Sequence, residues 1–267
     1  MPIIRLDPVG PRRATLVALP GLGHNAYSFL PSSFAPVRQL GVSVVFMEYA
    51  SHVDTVQDMA AYVWRCLDNM GATTGPVLLL GYSMGGFVLQ AMYKQRPGSV
   101  WGIVFLSTTC PIPEDVFTPF LSKANMVTSA KLCMGNRRQR RGRAKTIMAR
   151  HAAGTLDVPV QEYMHALHHS DIPYNLYVKE VGAVMAYSLS GASVAIIRRV
   201  TCPVLLMYGS LDDVIPVESI RRLRQAAAFA STFTEVEIYG TGHGAMYDAA
   251  DVFRASLVKW VRELECI

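Results

Sequence analysis

At 267 residues the chain can bury a sizeable core as one large domain, or as a domain carrying an insertion. Charged residues make up only 17%, and the net charge of +5 is local: Arg137, Arg138, Arg140, Arg141, Arg143 and Lys145 exceed it on their own. Basic residues spread over a face within a recognised module are absent, which argues against a nucleic-acid partner; with no uniform apolar run of membrane length and no apolar core of a signal peptide in Met1 to Leu6, the expectation is a soluble, cytoplasmic chain without stable membrane insertion.

Arg5 to Pro11 reads as short and turn-rich. Ala14 to Leu19 is then a buried strand running into Pro20-Gly21-Leu22-Gly23-His24-Asn25, where glycine just past a strand lets the backbone approach a ligand. Val42 to Met47 is the next strand, followed by Glu48-Tyr49. Val53 to Met70 carries apolar residues on a helical period and closes at Gly71. Val77 to Leu80 enters Gly81-Tyr82-Ser83-Met84-Gly85-Gly86, and a helical pattern leaves it through Phe87, Val88, Leu89 and Met92. This is strand, sharp turn, helix, with a serine at the apex. Val100 to Leu106 gives another buried strand. Strands that are apolar throughout, alternating with helices, predict an α/β fold with a mostly parallel sheet covered on both faces.

Past Ser107 the alternation stops. Val116 to Leu132, Arg143 to Ala153, Val160 to His168 and Tyr174 to Ile197 are all helical patterns, so residues 111–199 are expected to form a helical insertion, a lid over the carboxyl ends of the strands. The core is then 1–110 and 200–267. It resumes with a strand from Cys202 to Gly209, Asp212 just beyond, a helix from Val217 to Phe229 and a strand around Thr234 to Ile238. Gly240-Thr241-Gly242-His243 and a final amphipathic helix follow.

Ser83, Asp212 and His243 each stand just past the carboxyl end of a predicted strand, so a parallel sheet brings them to one edge. Serine is a poor nucleophile at neutral pH; His243 can take its proton, and Asp212 can hold the imidazole in the required tautomer. Asp213 is adjacent, but spacing from Gly209 favours Asp212. The turn at Ser83 sits at a helix N-terminus, where the Met84 N–H can meet an anionic oxygen, and the Leu22 N–H is its natural companion. His24 reads as lining the pocket or facing solvent rather than as the base, and Gly21, Gly23 and Tyr82 are expected to line the pocket too.

These motifs, L-P-G-L-G-H at Leu19 to His24, G-Y-S-M-G-G at Gly81 to Gly86, P-V-L-L-M-Y-G-S-L-D at Pro203 to Asp212 and G-T-G-H at Gly240 to His243, resemble those of the α/β-hydrolase superfamily over nearly the whole chain. The resemblance implies Ser83 as nucleophile, Asp212 as acid, His243 as base and Leu22 with Met84 as oxyanion donors, under a helical cap. It departs at Pro20, where many members carry histidine, and at Glu48, where aspartate is commoner. A serine at the elbow disfavours the dehalogenase and epoxide hydrolase chemistries of that superfamily and leaves acyl chemistry. The expected activity is hydrolysis of a small-to-medium, fairly apolar carboxylic ester without a cofactor, the partner being a small-molecule acyl substrate. An acyltransferase using the same triad and a ligand-binding, receptor-like member are the alternatives. The five scattered cysteines imply no disulfide framework, and His165, His168 and His169 lack the neighbouring ligands of a metal site, so no metal is expected.

Overall fold

Apolar runs with no polar alternation can be satisfied only between two covering layers. The structure, a computed structural model describing residues 3–110, 145, 148–154, 158–169 and 172–264, places them there. The strands are β1 (Ile4–Leu6), β2 (Ala14–Leu19), β3 (Val42–Phe46), β4 (Val77–Tyr82), β5 (Val100–Leu106), β6 (Val204–Gly209) and β7 (Phe233–Ile238). They form a seven-stranded sheet in the order β1-β3-β2-β4-β5-β6-β7. Every pairing is parallel except β1 with β3.

Side chains alternate across this sheet, and each face builds its own core. Val17, Leu19, Leu79, Phe105 and Leu206 join Val63, Trp64, Phe87 and Val88 from α2 (Val56–Asn69) and α3 (Gly85–Gln95). Leu16, Ala18, Leu78, Leu80 and Val104 turn the other way, onto Phe34 of α1 (Pro31–Arg38) and Phe253 and Trp260 of the helix Ala250–Glu263. Phe46 of β3 joins the second layer, the Phe34 ring standing edge-on 5.0 Å from Phe46 and 5.6 Å from Phe253.

Between β5 and β6 the described residues include the helices Val160–His169, Tyr174–Leu189 and Ala192–Ile197. The single helical pattern expected over Tyr174 to Ile197 is therefore two helices, broken at Ser190 and Gly191, where Gly191 adopts φ 67°. The pattern Val116 to Leu132, the basic run from Arg137 to Arg143 and the boundary after residue 110 lie outside the described residues.

Two further readings are corrected. Arg5 and Leu6, read as the start of a turn-rich segment, belong with Ile4 to a strand held by its antiparallel pairing to Val44–Phe46. The first long helix begins at Val56, not Val53, because the Thr55 side chain caps it, accepting from the Asp58 N–H at 3.0 Å. Helix α1 was not expected at all. It starts with Pro31, contains Pro36 and has no side-chain cap, and it forms because Ser33, Phe34 and Val37 are buried beneath it.

Among the described residues no helix is long and apolar enough to cross a membrane, and no group of three or more His, Cys, Asp or Glu side chains could hold a metal ion. Phe253→Ala, which removes a fully buried ring packed on Phe34, is expected to lower the free energy of unfolding by about 3–5 kcal/mol in urea titrations. Tyr239→Ala, at a ring that is 92% exposed, should change it by under about 0.5 kcal/mol.

Candidate active site

The elbow between β4 and α3 is made by close approach. A Cβ on Gly81 would lie 2.6 Å from the Gly85 backbone, and one on Gly85 would lie 2.3 Å from the Leu19 carbonyl oxygen. Only glycine lets strand and helix come this near while the residue between them is lifted clear. Ser83, at the apex, adopts φ 51°, a left-handed conformation that costs a non-glycine residue on the order of 1–3 kcal/mol. Neighbouring groups hold it there: its N–H donates to the Leu106 carbonyl at 2.9 Å, and its carbonyl accepts from the Thr108 hydroxyl at 2.7 Å.

Ser83, Asp212 and His243 meet at the carboxyl ends of β4, β6 and β7. His243 Nδ1 lies 2.9 Å and 3.1 Å from the two Asp212 carboxylate oxygens, and its Nε2 lies 2.9 Å from Ser83 Oγ. A carboxylate can only accept, so Nδ1 carries the proton and Nε2 is left to accept the Ser83 O–H. The Asp212 side chain is fully buried, and its Oδ1 also accepts the Val214 and Ile215 N–H groups at 3.0 and 2.8 Å. Asp213 is exposed. A hydroxyl on an imidazole that rests on a fixed carboxylate is the arrangement from which a serine can lose its proton as it attacks.

Gly21 abuts the elbow: a Cβ there would lie 3.2 Å from Ser83 Cβ. Gly21 to His24 form a four-residue turn closed by the His24 N–H on the Gly21 carbonyl at 3.1 Å. Leu22 is the second residue of this turn, and among the described residues neither the Leu22 nor the Met84 N–H is hydrogen-bonded within the protein. His24, half-buried, is within 2.9 Å of the Leu22 carbonyl through Nδ1 and so braces the turn. Tyr82 is buried, with its ring centred 5.4 Å from His243 and 6.4 Å from Tyr247. It supports the imidazole from below. His165 and His169 stack at 4.5 Å, with Tyr27 edge-on to His165.

The residue that sequence reasoning passed over is Glu180. It projects from the helix Tyr174–Leu189, is 1% exposed, and accepts the Gly23 N–H at 2.9 Å. Its signal was present: Leu176, Glu180 and Val184 share one face of a helix, so the carboxylate lies on the apolar stripe. Burial pushes its pKa up to about 8, with the Gly23 N–H opposing the rise and the Glu48 charge adding to it. Burial likewise raises Glu48, whose Oε2 has no hydrogen-bond partner among the described residues. Between the ordinary carboxylate range and about pH 8 the folded protein keeps a proton on Glu180 that the unfolded chain has lost, so this group's contribution to stability declines as pH rises through that window. Glu180→Gln removes the titration, and its melting temperature relative to the unmodified protein should rise between pH 5 and pH 9 in paired thermal scans.

A sequence profile of the alpha/beta hydrolase family matches residues 16–255. No curated protein sequence matches the chain. Among solved structures, an alpha/beta hydrolase fold protein from Chitinophaga pinensis is similar with a TM-score of 0.72 at 14% identity, covering 98% of this chain and 93% of its own. An esterase from Exiguobacterium antarcticum has a TM-score of 0.67 at 16% identity, over 98% and 95% of the two chains. A monoacylglycerol lipase from Paleococcus ferrophilus has a TM-score of 0.65 at 20% identity, over 98% of each. At such identities the likeness is one of fold, but the profile spans most of the chain, and the chain belongs to the alpha/beta hydrolase family.

Proposed function

We propose that the protein is a serine hydrolase that cleaves a small-to-medium, fairly apolar carboxylic ester through an acyl-enzyme. The observation that carries this reading is the continuous path of hydrogen bonds from Ser83 Oγ through the His243 ring to the buried Asp212 carboxylate. Ser83 Oγ forms a bond to the ester carbonyl carbon while His243 Nε2 takes the hydroxyl proton. Negative charge gathers on the former carbonyl oxygen, where the Leu22 and Met84 N–H groups receive it. Collapse expels the alcohol, which takes the proton from His243. Water then attacks the acyl-enzyme with His243 again as base, releasing the acid and restoring Ser83. Asp212 stays ionised and stabilises the imidazolium in both halves. No step calls for a cofactor.

Residues 111–199 serve in this reading as a lid. Its support is their position in the chain between β5 and β6, and the contacts of the helix Tyr174–Leu189 with the turn at Leu22. In this reading Gly21, Gly23, His24 and Tyr82 line the pocket, with Leu22 and Met84 as the oxyanion donors. The partner is a small acyl substrate, and the esterase and lipase among the similar structures are consistent with that class.

Incubation with a fluorophosphonate followed by intact-mass spectrometry should show one adduct per chain, absent in Ser83→Ala. That variant should keep its melting temperature and lose p-nitrophenyl ester turnover by about 10⁴-fold or more. Turnover unchanged in Ser83→Ala overturns the reading. Asp212→Asn, which leaves an oxygen for Val214 and Ile215 but permits the wrong imidazole tautomer, should lower kcat by about 10³–10⁴-fold, measured on the same esters.

A further inference from the structure

The turn Gly21 to His24 carries the proposed oxyanion donor at its second residue, and the orientation of that residue depends on the peptide plane that follows it. Gly23 has φ +77°, the left-handed value a glycine allows at the third position of such a turn. The Leu22–Gly23 peptide is gripped at both ends. On one side His24 Nδ1 lies 2.9 Å from the Leu22 oxygen; on the other the Gly23 N–H donates to Glu180 Oε2 at 2.9 Å. The first grip is local. The second comes from a residue 157 positions away in the chain, on a helix inserted between β5 and β6.

That helix also holds the turn by apolar contact. Leu22 packs against the cluster of Ile172, Leu176, Tyr177 and Val181. Behind the turn the Tyr49 hydroxyl donates to the Pro20 carbonyl at 3.2 Å. Next along the helix Lys179 reaches out to Asp54 at 2.8 Å and to the Ser51 carbonyl at 3.3 Å, tying its outer face to the loop after β3. A carboxyl group kept 1% exposed with an apolar cluster beside it is costly unless its acceptor is used. Its use here is the Gly23 N–H.

We infer that Glu180 is a positioning residue for catalysis: by holding the Gly23 N–H it fixes the turn that presents the Leu22 N–H, so the oxyanion donors are complete only while the helix Tyr174–Leu189 is seated. This inference rests on the ester-hydrolase reading above. It makes seating of the inserted helix and assembly of the reacting centre one event, since the same helix that covers the turn supplies its acceptor. The groups that face Glu180 are the Gly23 N–H from the β2 loop and Glu48 and Tyr49 from the end of β3, with Lys179 on its own helix turned outward to Asp54. Protonated or ionised, Glu180 offers Gly23 an acceptor oxygen. An amide in its place does the same.

The test compares the full-length protein with Glu180→Gln, Glu180→Leu and Glu180→Asp. Three readings are taken at pH 7: fluorophosphonate adduct per chain, kcat and KM for p-nitrophenyl acetate, and the ¹⁵N–¹H signal and exchange protection of the Gly23 amide. Glu180→Gln should keep kcat within about threefold, because its oxygen can still accept. Glu180→Leu, similar in size with no acceptor, should lose about tenfold to hundredfold in kcat with KM nearly unchanged, because a donor displaced by a fraction of an ångström serves the transition state and not the bound ester. Protection of the Gly23 amide should fall in the same variant while that of the β4 amides holds. Should Glu180→Leu fail to fold, Glu180→Asp carries the test: its shorter side chain withdraws the acceptor and should lower kcat by severalfold or more, with the same loss of Gly23 protection. A Leu or Asp variant with undiminished kcat, beside a fully labelled wild type, overturns the inference and leaves the hydrolase reading standing. Equal loss in Gln and Leu also overturns it, since the acceptor would then be irrelevant. A wild-type protein that neither labels nor turns over removes the hydrolase reading, and this inference falls with it.

Discussion

The first turn of α3 lies so close to the end of β2 that the Gly85 Cα and the Leu19 carbonyl leave no room for a side-chain carbon between them. Much of the reacting centre depends on that contact. It forces the chain to reverse between β4 and α3 within a few residues, which lifts Ser83 out of both elements and into a left-handed backbone conformation. It also brings the segment after β2 alongside the same apex, so that Gly21 abuts Ser83. The local strain is small against the burial of two complete core layers, and the Leu106 and Thr108 hydrogen bonds at the end of β5 keep it from relaxing.

The other half of the site is assembled by backbone rather than by side-chain attraction. The loops after β6 and β7 are laced together: Ser210 N–H donates to the Ile238 carbonyl at 3.1 Å, Leu211 N–H to the Thr241 carbonyl at 2.9 Å, and Gly240 N–H to the Ser210 hydroxyl at 2.9 Å. Asp212 and His243 therefore approach one another as a consequence of parallel pairing, before any bond between them forms. Tyr82, on the strand that leads into the elbow, packs against the imidazole from the sheet side.

What could be read from the sequence was mostly what is decided locally. Strands such as Val77 to Leu80, apolar on both faces, have no stable place except inside a parallel sheet, and the turn chemistry at Gly81 to Gly85 names its own geometry. The strand ends that carry Ser83, Asp212 and His243 followed from these elements; the distances among them did not. Features set by distant partners stayed hidden. β1 is three residues long and exists because β3 pairs with it. Helix α1 holds two prolines and is maintained by burial of Phe34 rather than by propensity. That the His24 ring turns back onto the Leu22 carbonyl is likewise beyond what the spacing of a sequence can show. Glu180 is legible only in part: its spacing from Leu176 and Val184 puts a carboxylate on an apolar stripe, but the backbone amide that occupies it lies across more than half the chain.

The two margins of the sheet are finished in different ways. On one side the outermost strand, β1, offers only Ile4–Leu6, too short a row of backbone groups to template another chain. On the other, β7 is longer, but it carries Glu235 and Glu237, with Glu235 engaged by Tyr208 and Arg224. A second copy laid edge to edge along β7 would have to bring its own glutamates up against these, at a cost that grows with each added strand. Length on one border and charge on the other thus disfavour extension of the sheet by edge-to-edge pairing.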